Sequence, residues 1–138
     1  MDMPLTGGCI CGAVRFEVSA DPLMMVKCHC RDCQQVSGGP YAPAILFPFN
    51  AFKLTKGMLQ RFATPSLAGG DNVRGFCVIC GSRLTVGENP DKGFIGVLAS
   101  SLENPGQFKP QMETFVSDAW PWDVMDQRLP KHRQYSEG

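Results

Sequence analysis

The chain has 138 residues, with 13 basic and 13 acidic side chains and no formal net charge. Such a balance excludes the strongly basic surface that nucleic acid or an anionic membrane would call for, and the length suits a single domain, residues 1–138, with a core of its own. No apolar run approaches the roughly 18 residues of a membrane span, and Met1 to Thr6 lack the basic start and apolar stretch of a secretory signal, so a cytoplasmic protein is expected.

Seven cysteines fall into three close clusters: Cys9 with Cys11, Cys28 with Cys30 and Cys33, and Cys77 with Cys80. An odd count leaves one thiol over in any disulfide framework, and disulfides gain most by closing long loops rather than by joining near neighbours. Closely spaced thiols in a reducing compartment point to metal ligation instead.

The first cluster stands in Gly7-Gly8-Cys9-Ile10-Cys11-Gly12, where flanking glycines let the backbone turn sharply around an ion, as half of a zinc knuckle. Next, Val14, Phe16 and Val18 alternate with polar neighbours, the pattern of a half-buried strand over 13–18 that Asp21-Pro22 ends. Leu23 to Val26 makes a second strand, which leads into Cys28-His29-Cys30-Arg31-Asp32-Cys33. In an extended segment Cys28 and Cys30 share a face while His29 points away, and Cys33 can return to the same ion across a tight turn. Zinc prefers four tetrahedral ligands; three from the protein leave one position for water or substrate, the mark of a catalytic site.

Gln34 to Val36 can add one helical turn before Ser37-Gly38-Gly39-Pro40 breaks it. Tyr41 to Phe47 is apolar, but Pro43 assigns it to an edge strand or an irregular extended run. Residues 48–52 read as a turn or short helix, and 54–57 as a turn feeding a short strand over 59–62. Ser66 to Asn72, small and polar, reads as the mobile loop of the chain. Cys77-Val78-Ile79-Cys80-Gly81 is a second knuckle, its glycine permitting a left-handed turn. A thioredoxin-like redox motif would need a βαβ context, and no long helix is in sight to make one. Short β-like runs at 83–86, 93–98 and 113–116, separated by Gly, Pro and Asn clusters, complete an all-β, loop-rich pattern. Trp120-Pro121-Trp122 is expected to pack over the core, with a ligand-stacking platform as the alternative. From Gln127 onward, residues 127–138 are polar and expected to fray.

Zinc with three thiolates carries one net negative charge, which makes it poor at ionising water and better suited to capture of a further thiol. Cations would offset the added charge, and Lys27 and Arg31 flank the ligands as candidate substrate-binding residues. Neither His29, which alternates away, nor His132, in the polar tail, is expected to complete the metal shell. Asp32 is assigned to the turn that follows it, with proton acceptance as the alternative.

Taken in order, Gly8-Cys9-x-Cys11-Gly12, Cys28-His29-Cys30-x-x-Cys33 and Phe76-Cys77-x-x-Cys80-Gly81 resemble the glutathione-dependent formaldehyde-activating enzyme family, also called the centromere protein V family, over nearly the whole chain. The resemblance implies a mainly β, Mss4-like fold of loop-rich small sheets stapled by two zinc ions. By position it gives a structural zinc to Cys9, Cys11, Cys77 and Cys80, and a catalytic zinc to Cys28, Cys30 and Cys33. The implied activity is that of a carbon-sulfur lyase that adds a thiol such as glutathione to an aldehyde such as formaldehyde, or runs the reverse, with those small molecules as its partners and neither nucleic acid nor membrane among them. Many members carry a histidine near the position of Glu113-Thr114, where this chain has none. The rival is a non-enzymatic zinc module that binds a protein partner. Methionine sulfoxide reduction on a related fold ranks last, since it needs a cysteine outside the metal shells.

Overall fold

The computed structural model describes residues 1–135. In chain order the strands are β1 (Leu5–Gly8), β2 (Arg15–Val18), β3 (Met24–Cys28), β4 (Ala42–Pro48), β5 (Phe52–Lys56), β6 (Gln60–Pro65), β7 (Asp71–Phe76), β8 (Arg83–Asn89), β9 (Phe94–Leu98) and β10 (Met112–Thr114). A short helix, α1 (Arg31–Ser37), lies between β3 and β4. The strands form a small sheet in the order β1-β2-β5 and a large one in the order β10-β3-β4-β9-β8-β7-β6. The fold is mainly β, as the short alternating runs require.

Alternation in β2 does what the sequence pattern demands: Phe16 and Val18 are buried, and Val14 just before them joins the same core. Together with Leu5 they meet Ile45, Phe47, Ile95 and Val97 of the large sheet, each such side chain contributing about 1.5–3 kcal/mol on burial. On the opposite face of the large sheet, Val26, Ala42, Ala44 and Leu98 form a second cluster with Cys33 of α1. The helix that carries one thiol of the second cysteine cluster is therefore seated directly on the sheet.

Because β4 sends Ile45 and Phe47 to one cluster and Ala42 and Ala44 to the other, it is buried on both sides. That explains its unbroken apolar run. It also corrects the edge assignment drawn from Pro43, since β4 is interior, between β3 and β9. Pairing with β9 spans Ala44 to Pro48 only, so Pro43 sits where just β3 runs alongside, opposite Lys27. A proline beyond the end of one ladder removes no bond from that ladder.

Three further expectations change. The stretch read as a mobile loop is largely a hairpin turn between β6 and β7, closed by bonds from the Ser66 amide to the Gly70 carbonyl at 3.0 Å and from the Gly69 amide to the Ser66 carbonyl at 3.1 Å. The tight turn expected after Cys30 is the first turn of α1, with Cys30 as its N-cap. The polar tail, expected to fray from Gln127, is tied down as far as Gln134. Its Pro130 and Gln134 carbonyls accept from the Glu113 and Phe115 amides, and the His132 amide donates to the Glu113 carbonyl at 2.9 Å. β10 has β3 on one side only, so the tail satisfies its open edge, a role that needs backbone groups rather than apolar side chains. The last three residues, 136–138, lie outside the described range.

Trp120-Pro121-Trp122 does not pack over the core. Trp120 is 43% and Trp122 69% exposed, and they border an open cleft with Arg31, Gln34, Gly38 and Gly39. The Trp120 indole N–H donates to Gln34 Oε1 at 2.7 Å, which holds that ring at the surface.

Candidate metal centres and active site

Two turns build the first centre. Cys9 and Cys11 follow β1, while Cys77 and Cys80 form the link between β7 and β8, so the site joins the small sheet to the large one. Gly12 and Gly81 adopt φ of +79° and +77°, and the Gly81 amide donates to the Cys77 carbonyl at 2.8 Å, closing the knuckle. Only glycine takes that left-handed conformation without strain from its side chain. All four sulfurs lie within 4.8 Å of one another, with Cys9 and Cys11 at 3.6 Å and Cys11 and Cys77 at 3.8 Å. A tetrahedral ion with about 2.3 Å bonds to sulfur sets its ligands roughly 3.8 Å apart, so these thiols fit one. The Val14 amide donates to the Cys9 sulfur at 3.3 Å. The Ser82 hydroxyl, 3.1 Å from Cys80, brings that thiol down to about 5.

The second centre grows from the end of β3. Cys28 is the last residue of the strand, Cys30 caps α1, and Cys33 stands in its first turn with its amide donating to the Cys30 sulfur at 3.3 Å. The three sulfurs again lie within 4.8 Å of one another, and among the described residues no fourth His, Cys, Asp or Glu joins them. Hydrogen bonds from Cys30 and Cys33 pull the Cys28 thiol down to about 3, and those same bonds to Cys28 push Cys30 and Cys33 up. The trio shares protons as one unit, and a cation placed among the sulfurs would displace those that remain.

His29 turns to the other side of the strand, as its place between two cysteines predicts. It is fully buried, with Nε2 3.0 Å from Glu113 Oε1 and Nδ1 3.5 Å from Asp123 Oδ2. Lys131 Nζ reaches Glu113 Oε2 at 3.3 Å, so the tail also supplies a charge to this network. Gln34 fastens the loop from above by donating from Nε2 to the carbonyls of His29, at 2.7 Å, and Asp118, at 3.0 Å. His132 adds backbone bonds and stands apart from both thiol groups.

Beside the trio opens a cavity of about 290 Å³, bordered by Arg31, Asp32, Asp118 and Arg74 on its polar side and by Leu67, Phe115 and Tyr135 on its apolar side. Arg31 is thus at the cavity, its amide donating to Asp118 at 3.3 Å and its Nη1 to Gln34 at 3.1 Å. Lys27 is not: it alternates away from Cys28, its ammonium 5.0 Å from the Tyr41 ring centroid, and it borders no part of the cavity. Asp32 faces the cavity rather than stabilising a turn. Arg74 is the residue missed from sequence. Its signal was an arginine in the half-buried strand Val73-Arg74-Gly75-Phe76, and it is 3% exposed.

Residues 4–118 match the sequence model of the family described as glutathione-dependent formaldehyde-activating enzyme. The chain belongs to that family. A crystal structure of a Rhodobacter sphaeroides protein, determined as a structural genomics target, shares the fold with a TM-score of 0.61 over 79% of this chain and 99% of that one, at 23% sequence identity. In this member of the formaldehyde-activating family, both thiol groups and the cavity residues Arg31, Asp32, Arg74 and Phe115 fall within the matched region, whereas Asp123, Lys131 and Tyr135 follow it.

Proposed function

We propose that the chain is a zinc enzyme of carbon-sulfur chemistry, joining a thiol of the glutathione type to a small aldehyde such as formaldehyde, or cleaving the product. One observation carries this: of two thiol groups with metal-binding geometry, one has four sulfurs and the other three beside an open cavity. Four ligands close a structural site, and three leave a position for substrate.

A zinc ion held by Cys28, Cys30 and Cys33 would supply a positive centre at which an incoming thiol loses its proton at neutral pH. The chain's own residues do the rest. Cys30 and α1 hold the trio's spacing, Gln34 and the His29 network fix the loop, and Arg31 brings positive charge to the cavity. Phe115, Leu67 and Tyr135 exclude water from one side. In the synthetic direction sulfur bonds to the carbonyl carbon, the carbonyl π pair moves onto oxygen, and that oxygen takes a proton from solvent. The seven free thiols suit a reducing compartment such as the cytoplasm.

The test is Cys30→Ser in zinc-replete protein, followed by metal content, thermal unfolding and formation of the thiol-formaldehyde adduct. A folded variant with one zinc and no activity supports the enzyme. Unchanged activity would end the proposal, and a loss of folding in a wild type without activity would favour the zinc-stapled binding module.

A further inference from the structure

Arg74 is 3% exposed, yet only one corner of its guanidinium is satisfied. Nη1 donates to Thr64 Oγ1 at 2.7 Å and lies 3.4 Å from the Asn72 carbonyl. Nε and Nη2, which together form the side edge of the fork, have no hydrogen-bond partner among the described residues. Buried donors left unpaired are rare and each calls for a reason, the more so on a permanent cation.

Elsewhere in this chain that same edge holds a carboxylate. Arg61 presents Nε and Nη2 to Glu88 at 2.7 and 3.0 Å, and Arg128 presents them to Asp126 at 3.1 and 3.0 Å. Paired bonds of this kind are the strong, geometry-selective ones. Among the described residues the carboxylate within ion-pair range of Arg74 is that of Asp32, whose Oδ2 stands 3.9 Å from Nη2, beyond hydrogen-bond reach. Asp32 is half exposed and makes no side-chain hydrogen bond among the described residues, so only this loose ion pair holds it near the guanidinium. Both residues border the cavity that contains the thiol trio.

We propose that the Nε–Nη2 edge of Arg74 is a carboxylate anchor, which receives an acidic group of the thiol substrate while its sulfur engages the three-cysteine site. The assignment rests on the thiol-capture reading and adds the substrate class: thiols that carry a carboxylate a few bonds from sulfur, Asp32 swinging aside as they enter. Nη1, pinned by Thr64, keeps the edge aimed as the ligand arrives. Arg74 is accordingly a specificity-determining residue rather than a ligand of the metal.

The test compares 3-mercaptopropionate with 3-mercaptopropionamide, two thiols of one size that differ in the carboxylate, by calorimetric titration of the zinc-loaded protein. The wild type is expected to bind the acid about tenfold or more tightly than the amide, as bonds to a charged group allow. Thiol acidity works against the acid, whose negative charge raises its sulfur pKa, so such a preference reports a cation in the cavity, and the Arg74 variants separate the anchor from Arg31. Arg74→Met should abolish the preference while the amide still binds. If that variant does not fold, Arg74→Lys decides, because it keeps the charge without the paired donors and should narrow the ratio. Equal affinities in the wild type would overturn the anchor, leave thiol capture standing and assign the edge to Asp32. An unchanged preference in a folded Arg74 variant would place the anchor elsewhere, which also overturns it. Failure of both thiols to bind would remove thiol capture, and the anchor with it.

Discussion

His29 Nε2 lies 3.0 Å from Glu113 Oε1, and both side chains are fully buried. This pair sits beneath the loop that carries Cys28 and Cys30, on the face of the strand opposite the thiols. The family resemblance places a histidine near residue 113, and here the glutamate there faces His29. Its neighbour Thr114 lies in register with Cys28.

Removal of the carboxylate should leave His29 Nε2 without its hydrogen-bond partner and Lys131 without its ion pair. Glu113→Ala is expected to lose about 3–5 kcal/mol of stability, the range for breaking one side of a buried pair. Glu113→Gln, which keeps an oxygen toward His29, should lose less. Urea unfolding of metal-loaded protein measures both.

The two candidate metal centres should respond differently to the loss of one thiol. Cys77→Ser opens the site that joins the two sheets, and structural zinc is worth about 10 kcal/mol or more, comparable with the stability of a whole domain. That variant should be unfolded or insoluble, whereas Cys30→Ser should retain its melting transition. Circular dichroism with zinc determination separates the two outcomes.

Metal uptake by the trio should release protons. Without a cation, Cys28 is held ionised at neutral pH while Cys30 and Cys33, both pushed up, retain their protons. Ligation must therefore expel about two protons near pH 7, and affinity should fall as pH falls because protons compete for the same sulfurs. Zinc titration in buffers of different ionisation enthalpy counts them. A count near zero would contradict the shared-proton arrangement.

Deletion of residues 128–138 should destabilise the protein rather than leave it unaffected, because the deleted segment accepts from the Glu113 and Phe115 amides and supplies Lys131 to Glu113. Exposing the β10 edge should also promote association between chains. Denaturant unfolding and light scattering check the two effects.

Much of the site was legible in the letters because its chemistry is local. A CxC, a CxC followed at three residues by a further Cys, and a CxxC before glycine each specify a short geometry, and alternation alone turns His29 away from its two cysteine neighbours. The alternating Val14, Phe16 and Val18 likewise declared their strand, since a period of two follows from the pleat itself. Long-range placement was not legible. Whether Pro43 lies at an edge depends on which strands flank β4 and for how far. The polar tail is ordered by backbone bonds to β10, which leave no trace in side-chain pattern. Lys27 and Arg74 show the same division: nearness in sequence favoured the first as the cation of the thiol site, and only folding, which brings β7 and its hairpin beside α1, puts the second there instead. The clustering of thiols is written by spacing along the backbone, whereas the charge around them is set by segments that meet in space.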